Sequence, residues 1–190
     1  MIDEELNNLV LGLADEYDED PEQFIFMLNA AIIEPTINKA YSFSKAADLL
    51  SNRHYYNLSL KAWEYSRIYF EMMDDKHSQS LCLMNIGNDY SKLEQFDSAL
   101  DSYKNAVNIA LENGYKDVEL NCYARIGLTY FESARYEMAI KSYIKAVNIA
   151  LEIGDKENEL RGYYSIAASY DKLNDHQRAR EFRQKAESLI

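Results

Sequence analysis

Across residues 119–132 and again across 136–152, apolar side chains recur with the 3.6-residue spacing of an amphipathic helix, separated by a short polar break. The same pattern returns at a fixed distance. Residues 103–127 read YKNAVNIALENGYKDVELNCYARIG, and residues 143–167 read YIKAVNIALEIGDKENELRGYYSIA, with 14 of 25 positions identical and no gap. Two unrelated amphipathic helices share polarity, not identity on this scale, so the chain is an internal repeat with a period of forty residues.

The period sorts positions by size. Ala47, Gly87, Gly127 and Ala167 are all small, as are Ser59, Ala99, Ala139 and Ala179, and then Ser66, Ala106, Ala146 and Ala186. Small residues at fixed offsets let two helix backbones approach closely, and bulky residues between them fill the remaining space. The bulky set is Leu50, Tyr90, Tyr130 and Tyr170, then Tyr56, Phe96 and Tyr136, then Trp63, Tyr103 and Tyr143. Each unit is therefore expected to be two antiparallel helices. Gly114 and Gly154, with Asp74 in the equivalent place, fall where a left-handed residue ends the second helix, leaving GYKDVE and GDKENE as connections. Four units follow, at 41–80, 81–120, 121–160 and 161–190.

The two ends depart from the pattern. In the last unit Arg180 stands where Leu100 and Ile140 stand earlier, and Glu187 where Val107 and Val147 stand; charge there predicts a wettable terminal face and an array that stops at Ile190. Residues 1–40 do not follow the period. Asp3 is a candidate N-cap for a helix with Leu6, Leu9, Val10 and Leu13 on one face. Asp20 and Pro21 form a second helix start, with Phe24, Ile25, Leu28, Ala31 and Ile32 apolar before Pro35. This segment reads as a cap on the first repeat, or else as a docking or dimerisation element.

The spacing resembles the tetratricopeptide repeat. Gly87, Tyr90, Ala99, Tyr103 and Ala106 match its signature, and Gly127, Tyr130, Ala139, Tyr143 and Ala146 match it again. The longer period resembles the repeats of Rap-type peptide receptors, Pins-type adaptors and kinesin light chains. The resemblance covers residues 41–190, least well in the first unit, where Ser59, Ser66 and Asp74 depart from it. It implies an all-α superhelical solenoid of antiparallel helix pairs, and it specifies fold rather than function.

Composition narrows the chemistry. Residues 1–40 hold ten acidic side chains and one Lys, so most of the net charge of −12 belongs to that segment. Such a balance repels phosphate backbones and anionic lipid, which argues against nucleic acid or a membrane surface as partner. The longest apolar runs fall far short of a membrane span, and the acidic start is not a secretory signal, so the expected location is cytoplasmic. Cys82 and Cys122 lie one period apart, where Ser42 and Gly162 stand in the other units; they read as small packing residues, against a disulfide or two-thiol metal site. His54, His77 and His176 form no metal-binding spacing, and DEYDED at 15–20 lacks the Gly and Glu of a calcium loop. No nucleophile motif or phosphate loop is present in the sequence, so no cofactor, metal or enzymatic activity is expected.

What the resemblance implies for a site is a concave face lined by the first helix of each unit. Family geometry puts there Tyr41, Ser44, Lys45, Asp48 and Asn52; Leu81, Met84, Asn85, Asn88 and Lys92; Asn121, Ala124, Arg125, Leu128 and Glu132; and Arg161, Tyr164, Ser165, Ala168 and Lys172. Five of these are basic and two acidic, a local excess of positive charge in an acidic chain. Asn85, Asn88 and Asn121 suit an extended peptide's backbone, and Arg125 and Arg161 suit a carboxylate, with Lys92 and Tyr164 beside them. A family carboxylate clamp is not claimed, because Ser44, Asp48 and Asn121 stand where Lys, Asn and Lys belong. The leading expectation is a non-enzymatic adaptor that binds a protein or peptide in this groove. The alternative is a chaperone or assembly subunit that docks through its N-terminal helices, which leaves a homo-oligomer open.

Overall fold

The protein is seen in a computed structural model that describes residues 10, 12, 13, 15, 16, 20–31 and 36–190. Nine helices can be bounded there: α1 (Pro21–Ala31), α2 (Thr36–Asn52), α3 (Tyr56–Met72), α4 (Lys76–Lys92), α5 (Phe96–Asn113), α6 (Lys116–Glu132), α7 (Tyr136–Ile153), α8 (Lys156–Lys172) and α9 (His176–Glu187). No strand occurs among the described residues. First helices of the repeat begin at 36, 76, 116 and 156, and second helices at 56, 96, 136 and 176, so the forty-residue period sets helix starts throughout.

The first helices begin earlier than the hydrophobic pattern alone suggests. LysAspValGlu at 116–119 and LysGluAsnGlu at 156–159 are not connections but the opening turns of α6 and α8. Acidic side chains there complement the positive end of the helix dipole. Asp75 and Asp155 cap α4 and α8 by accepting the Ser78 and Asn158 amides, each at 3.0 Å.

Between helices the turns repeat as well. Asp74, Gly114 and Gly154 take positive φ, as the spacing predicts. So do His54, Glu94, Ala134 and Asn174, one period apart, at the end of each first helix. At each of those turns a six-residue closure forms, from the Tyr55, Gln95, Arg135 and Asp175 amides to the carbonyls of Leu50, Tyr90, Tyr130 and Tyr170.

The helices form two compact units, Met1–Gln95 and Phe96–Ile190. In the first, α3 packs on α2 and α4, and Val10, Phe24, Ile25 and Leu28 join Phe43, Leu50, Trp63 and Phe70 in one core. Val10 and the apolar face of α1 are thus built into the first unit's interior. Asp20 accepts the Gln23 amide at 3.0 Å, as its N-cap position requires. Asp3, Leu6, Leu9, Ile32 and Pro35 lie outside the described residues.

In the second unit α6 packs on α5 and α7, α8 on α7, and α9 on α8. Gly127 faces the ring of Tyr143 so closely that an added Cβ would stand 2.6 Å from it. Ala139 and Ala146 are buried, as are the other residues at the small positions. Arg180 and Glu187 are exposed.

Candidate functional site

In the second unit, α6 and α8 present their exposed faces on either side of α7 and form a cleft of about 290 Å³. Its floor is Tyr143 and Ala146 of α7; its walls carry Asn121, Arg125 and Leu128 from α6 and Asn158, Arg161 and Ser165 from α8. The depth follows from small residues. A Cβ on Gly162 would stand 2.3 Å from Val147 Cγ2, so α8 seats against α7 only because that position is bare.

Asn121, Arg125 and Arg161 are brought together in this cleft. Arg161 lies 2.5 Å from Glu157 one turn earlier, but both side chains are about 70% exposed, and such a pair gives way readily to a better acceptor. Arg125 is exposed and makes no ion pair among the described residues; burial raises the ionisation range of nearby Cys122 and Tyr103, and the Arg125 charge only partly opposes that rise. The Asn121 amide donates to the Asp117 carbonyl at 2.9 Å, leaving its oxygen and one N–H to the cleft. Tyr164 is exposed on α8 but outside the cleft lining. Asn158 is the polar cleft residue absent from the expected lining; it lies in the segment read as a connection, and only the early start of α8 puts it on the wall.

The corresponding face of the first unit differs in charge. Asn88 donates to Asn85 Oδ1 at 3.1 Å, both half-buried, and Lys92 is exposed. On the same helix Asp89 is buried, and accepts the Ser51 hydroxyl at 2.7 Å. Burial pushes its carboxyl above the usual range, opposed by the Ser59 and Ser51 hydroxyls. Asp48, more open to solvent, is raised too, by desolvation first and by the Asp89 charge second.

The two thiols are packing residues. Cys82 and Cys122 are free and buried, and burial raises them to about 11 and about 12. Neither is poised as a nucleophile. Among the described residues no cluster of His, Cys, Asp and Glu could hold a metal, and no helix is long and apolar enough to cross a membrane.

Comparison with known proteins agrees with the fold. The tetratricopeptide repeat profile matches residues 79–152 and 119–189. No curated protein matches the sequence. Similar solved structures include aspartyl phosphate phosphatase F from Bacillus subtilis, at 17% identity over 88% of this chain and 44% of that one, with a TM-score of 0.79. A Rap protein complexed with competence and sporulation factor is 12% identical over 88% of this chain and 47% of that one, with a TM-score of 0.67. A putative kinesin light chain from Podosopora anserina with nearly identical TPR-like repeats is 14% identical over 96% of this chain and 90% of that one, with a TM-score of 0.71. The chain spans less than half the length of the first two, and identities this low establish the fold alone.

Proposed function

The chain belongs to the tetratricopeptide repeat family, and from that premise we propose that it is a non-enzymatic adaptor that binds a protein or peptide on the first-helix faces of its repeats. The observation that carries this reading is the cleft of the second unit, which Arg125 and Arg161 line together with Asn121 and Asn158 around a floor of Tyr143 and Ala146. Two guanidinium groups with free donors suit a carboxylate, and neighbouring Asn121 and Asn158 suit the backbone on either side of it. The ligand is therefore an extended segment carrying an acidic side chain or a free carboxyl end. A Rap protein, a neighbour in fold, is complexed with competence and sporulation factor, which supports a binding role for this chain. A neighbour named as a phosphatase shares the fold only. The two buried free thiols suit a reducing compartment, in keeping with a cytoplasmic location.

A peptide library with acidic and neutral sequences, and with free and amidated ends, tests the reading. Arg125→Ala and Arg161→Ala are each expected to weaken the acidic ligands by about 1–3 kcal/mol, the range for hydrogen bonds to charged groups. Added salt is expected to weaken binding as well, because both arginines are exposed. Equal binding by the double variant, or indifference to the carboxylate, would remove the cleft as the site. Deleting residues 1–34 is not a clean control, because Phe24, Ile25 and Leu28 belong to the first unit's core.

A further inference from the structure

The outer face of α3 breaks the repeat. On the equivalent helices the four matching positions are polar, Asp101, Asn105, Asn108 and Glu112 on α5 and Lys141, Lys145, Asn148 and Glu152 on α7, and the apolar residues exposed beside them, Leu111, Ile144 and Leu151, do not lie on that stripe. One period earlier the same positions read Lys61, Tyr65, Ile68 and Met72. Tyr65 is 44% exposed, Ile68 40% and Met72 70%. Their three- and four-residue spacing is that of a helix–helix seam, and Lys61 to Met72 spans roughly 16 Å at the rise of an α-helix. At its N-terminal end the seam opens into a hollow of about 260 Å³ with an apolar side of Ile25, Phe26, Leu58 and Tyr65 and a polar rim of Glu22, Asn29 and Lys61, Phe26 itself being 65% exposed.

We propose that this seam joins two copies of the chain, α3 of one lying antiparallel against α3 of the other about a twofold axis. A twofold contact requires a patch that matches itself, and an evenly spaced apolar stripe on one helix does so when reversed. Charge fixes the direction. Lys61, paired with Glu22 at 3.3 Å, lies near the start of the seam and Glu71, paired with Arg67 at 3.0 Å, near its end; exposed pairs of this kind exchange readily, so an antiparallel copy brings each Lys61 towards the Glu71 of the other, whereas a parallel copy sets like charges together. Area supports a modest affinity. Phe26, Tyr65, Ile68 and Met72 together expose roughly 400 Å² on each copy, given side chains of this size. With the flanking residues the contact buries about 1,000 Å² in all, at the low end for a specific pair and typical of a reversible dimer. Each copy carries a net charge of −12, so repulsion opposes the contact and salt strengthens it, opposite to the salt effect on the arginine cleft.

Sedimentation or light scattering of the full chain from micromolar to millimolar concentration tests this. The expected result is a monomer–dimer equilibrium that shifts toward dimer with salt. Ile68→Glu and Met72→Glu are each expected to weaken it at least tenfold while the thermal melt stays unchanged, because both side chains are exposed; Met72→Ser is a milder variant that guards against misfolding. Lys61→Glu is expected to weaken the dimer and the pair Lys61→Glu with Glu71→Lys to restore it, a rescue that only an antiparallel contact produces. A chain monomeric at every concentration overturns the proposal, even if it captures a different protein through the seam, since that assigns a foreign partner. A dimer indifferent to Ile68→Glu and Met72→Glu overturns it too.

Discussion

The two compact units use the same helix frame with different chemistry at the close contacts. In the second unit those contacts are dry: Gly127, Ala139 and Ala146 bring helices together, and hydroxyls such as Thr129 and Ser142 bond to carbonyls of their own helix. In the first unit Ser59 and Ser66 fill two of the same places and reach across, as does Ser51 from elsewhere on α2. Ser59 donates to the Ala47 carbonyl at 2.8 Å, Ser66 to the Ala40 carbonyl at 2.8 Å, and Ser51 to Asp89 at 2.7 Å. The buried side-chain atoms left without a partner among the described residues, Gln79 Nε2 and Asp89 Oδ2, both belong to this unit. A repeat therefore keeps its frame when size is kept, even as polarity changes. What it gives up is dryness, and with it tolerance of pH.

The largest effect is expected where the second unit has no slack. Gly127→Leu drives a branched side chain into the Tyr143 ring, and overpacking of this kind costs about 3 kcal/mol or more. Thermal unfolding is expected to show the loss, and amide exchange to place it in residues 96–190. An unchanged melt would mean that the tight contact of the second unit is not where its stability lies.

The next prediction sets the units against each other by pH. Asp89 and Asp48 titrate above the unfolded value in the folded first unit, so their contribution to stability is full below about pH 4 and is lost as pH rises through the raised value. In the second unit Asp155 and Asp175 are lowered by the backbone amides of Asn158 and Arg178, and Asp171 by His176 and then Arg183. Their contribution is present above the unfolded value and is lost as pH falls through the lowered one. Acidification is thus expected to protect amides of residues 36–95 relative to those of 96–190. Asp89→Asn is expected to stabilise the first unit by about 1 kcal/mol near neutral pH, by removing an under-bonded buried charge, and to flatten its pH dependence. An equal response of the two units would break the contrast.

The smallest effect is common to both. His54 and Ala134 hold positive φ without being glycine, so His54→Gly and Ala134→Gly are each expected to change stability by less than about 1 kcal/mol, in the stabilising direction. Denaturant melts of the two variants measure it. A loss at His54 alone would point to its ring contact with the Tyr56 hydroxyl, at 2.7 Å.

How far the sequence could be read depends on whether a residue's role is local. The eight repeat helices and their pairing, the Asp20 cap and the left-handed residues at 74, 114 and 154 were legible, because periodicity, capping and backbone sterics act within a few residues and the repeat states its helices and turns more than once. Asn121, Arg125 and Arg161 could be grouped through the family spacing alone. Asn158 could not, because its place on the wall depends on where α8 begins. The left-handed turns at Glu94 and Ala134 were likewise invisible, since the side chains give no sign of the closures that hold them.

By itself the sequence determined the forty-residue frame, since only small side chains at fixed intervals let helices approach and any backbone following that rule arrives at the same pairs. The tertiary structure alone decided what that frame does with its polar and exposed residues. Burial turned Asp89 from one acidic residue among 32 into an under-bonded carboxyl in a core. Exposure turned Tyr65, Ile68 and Met72 from ordinary helix hydrophobics into an uncovered seam. Both outcomes depend on which neighbour stands opposite a side chain, and that is a property of packed helices, not of the order of residues within one.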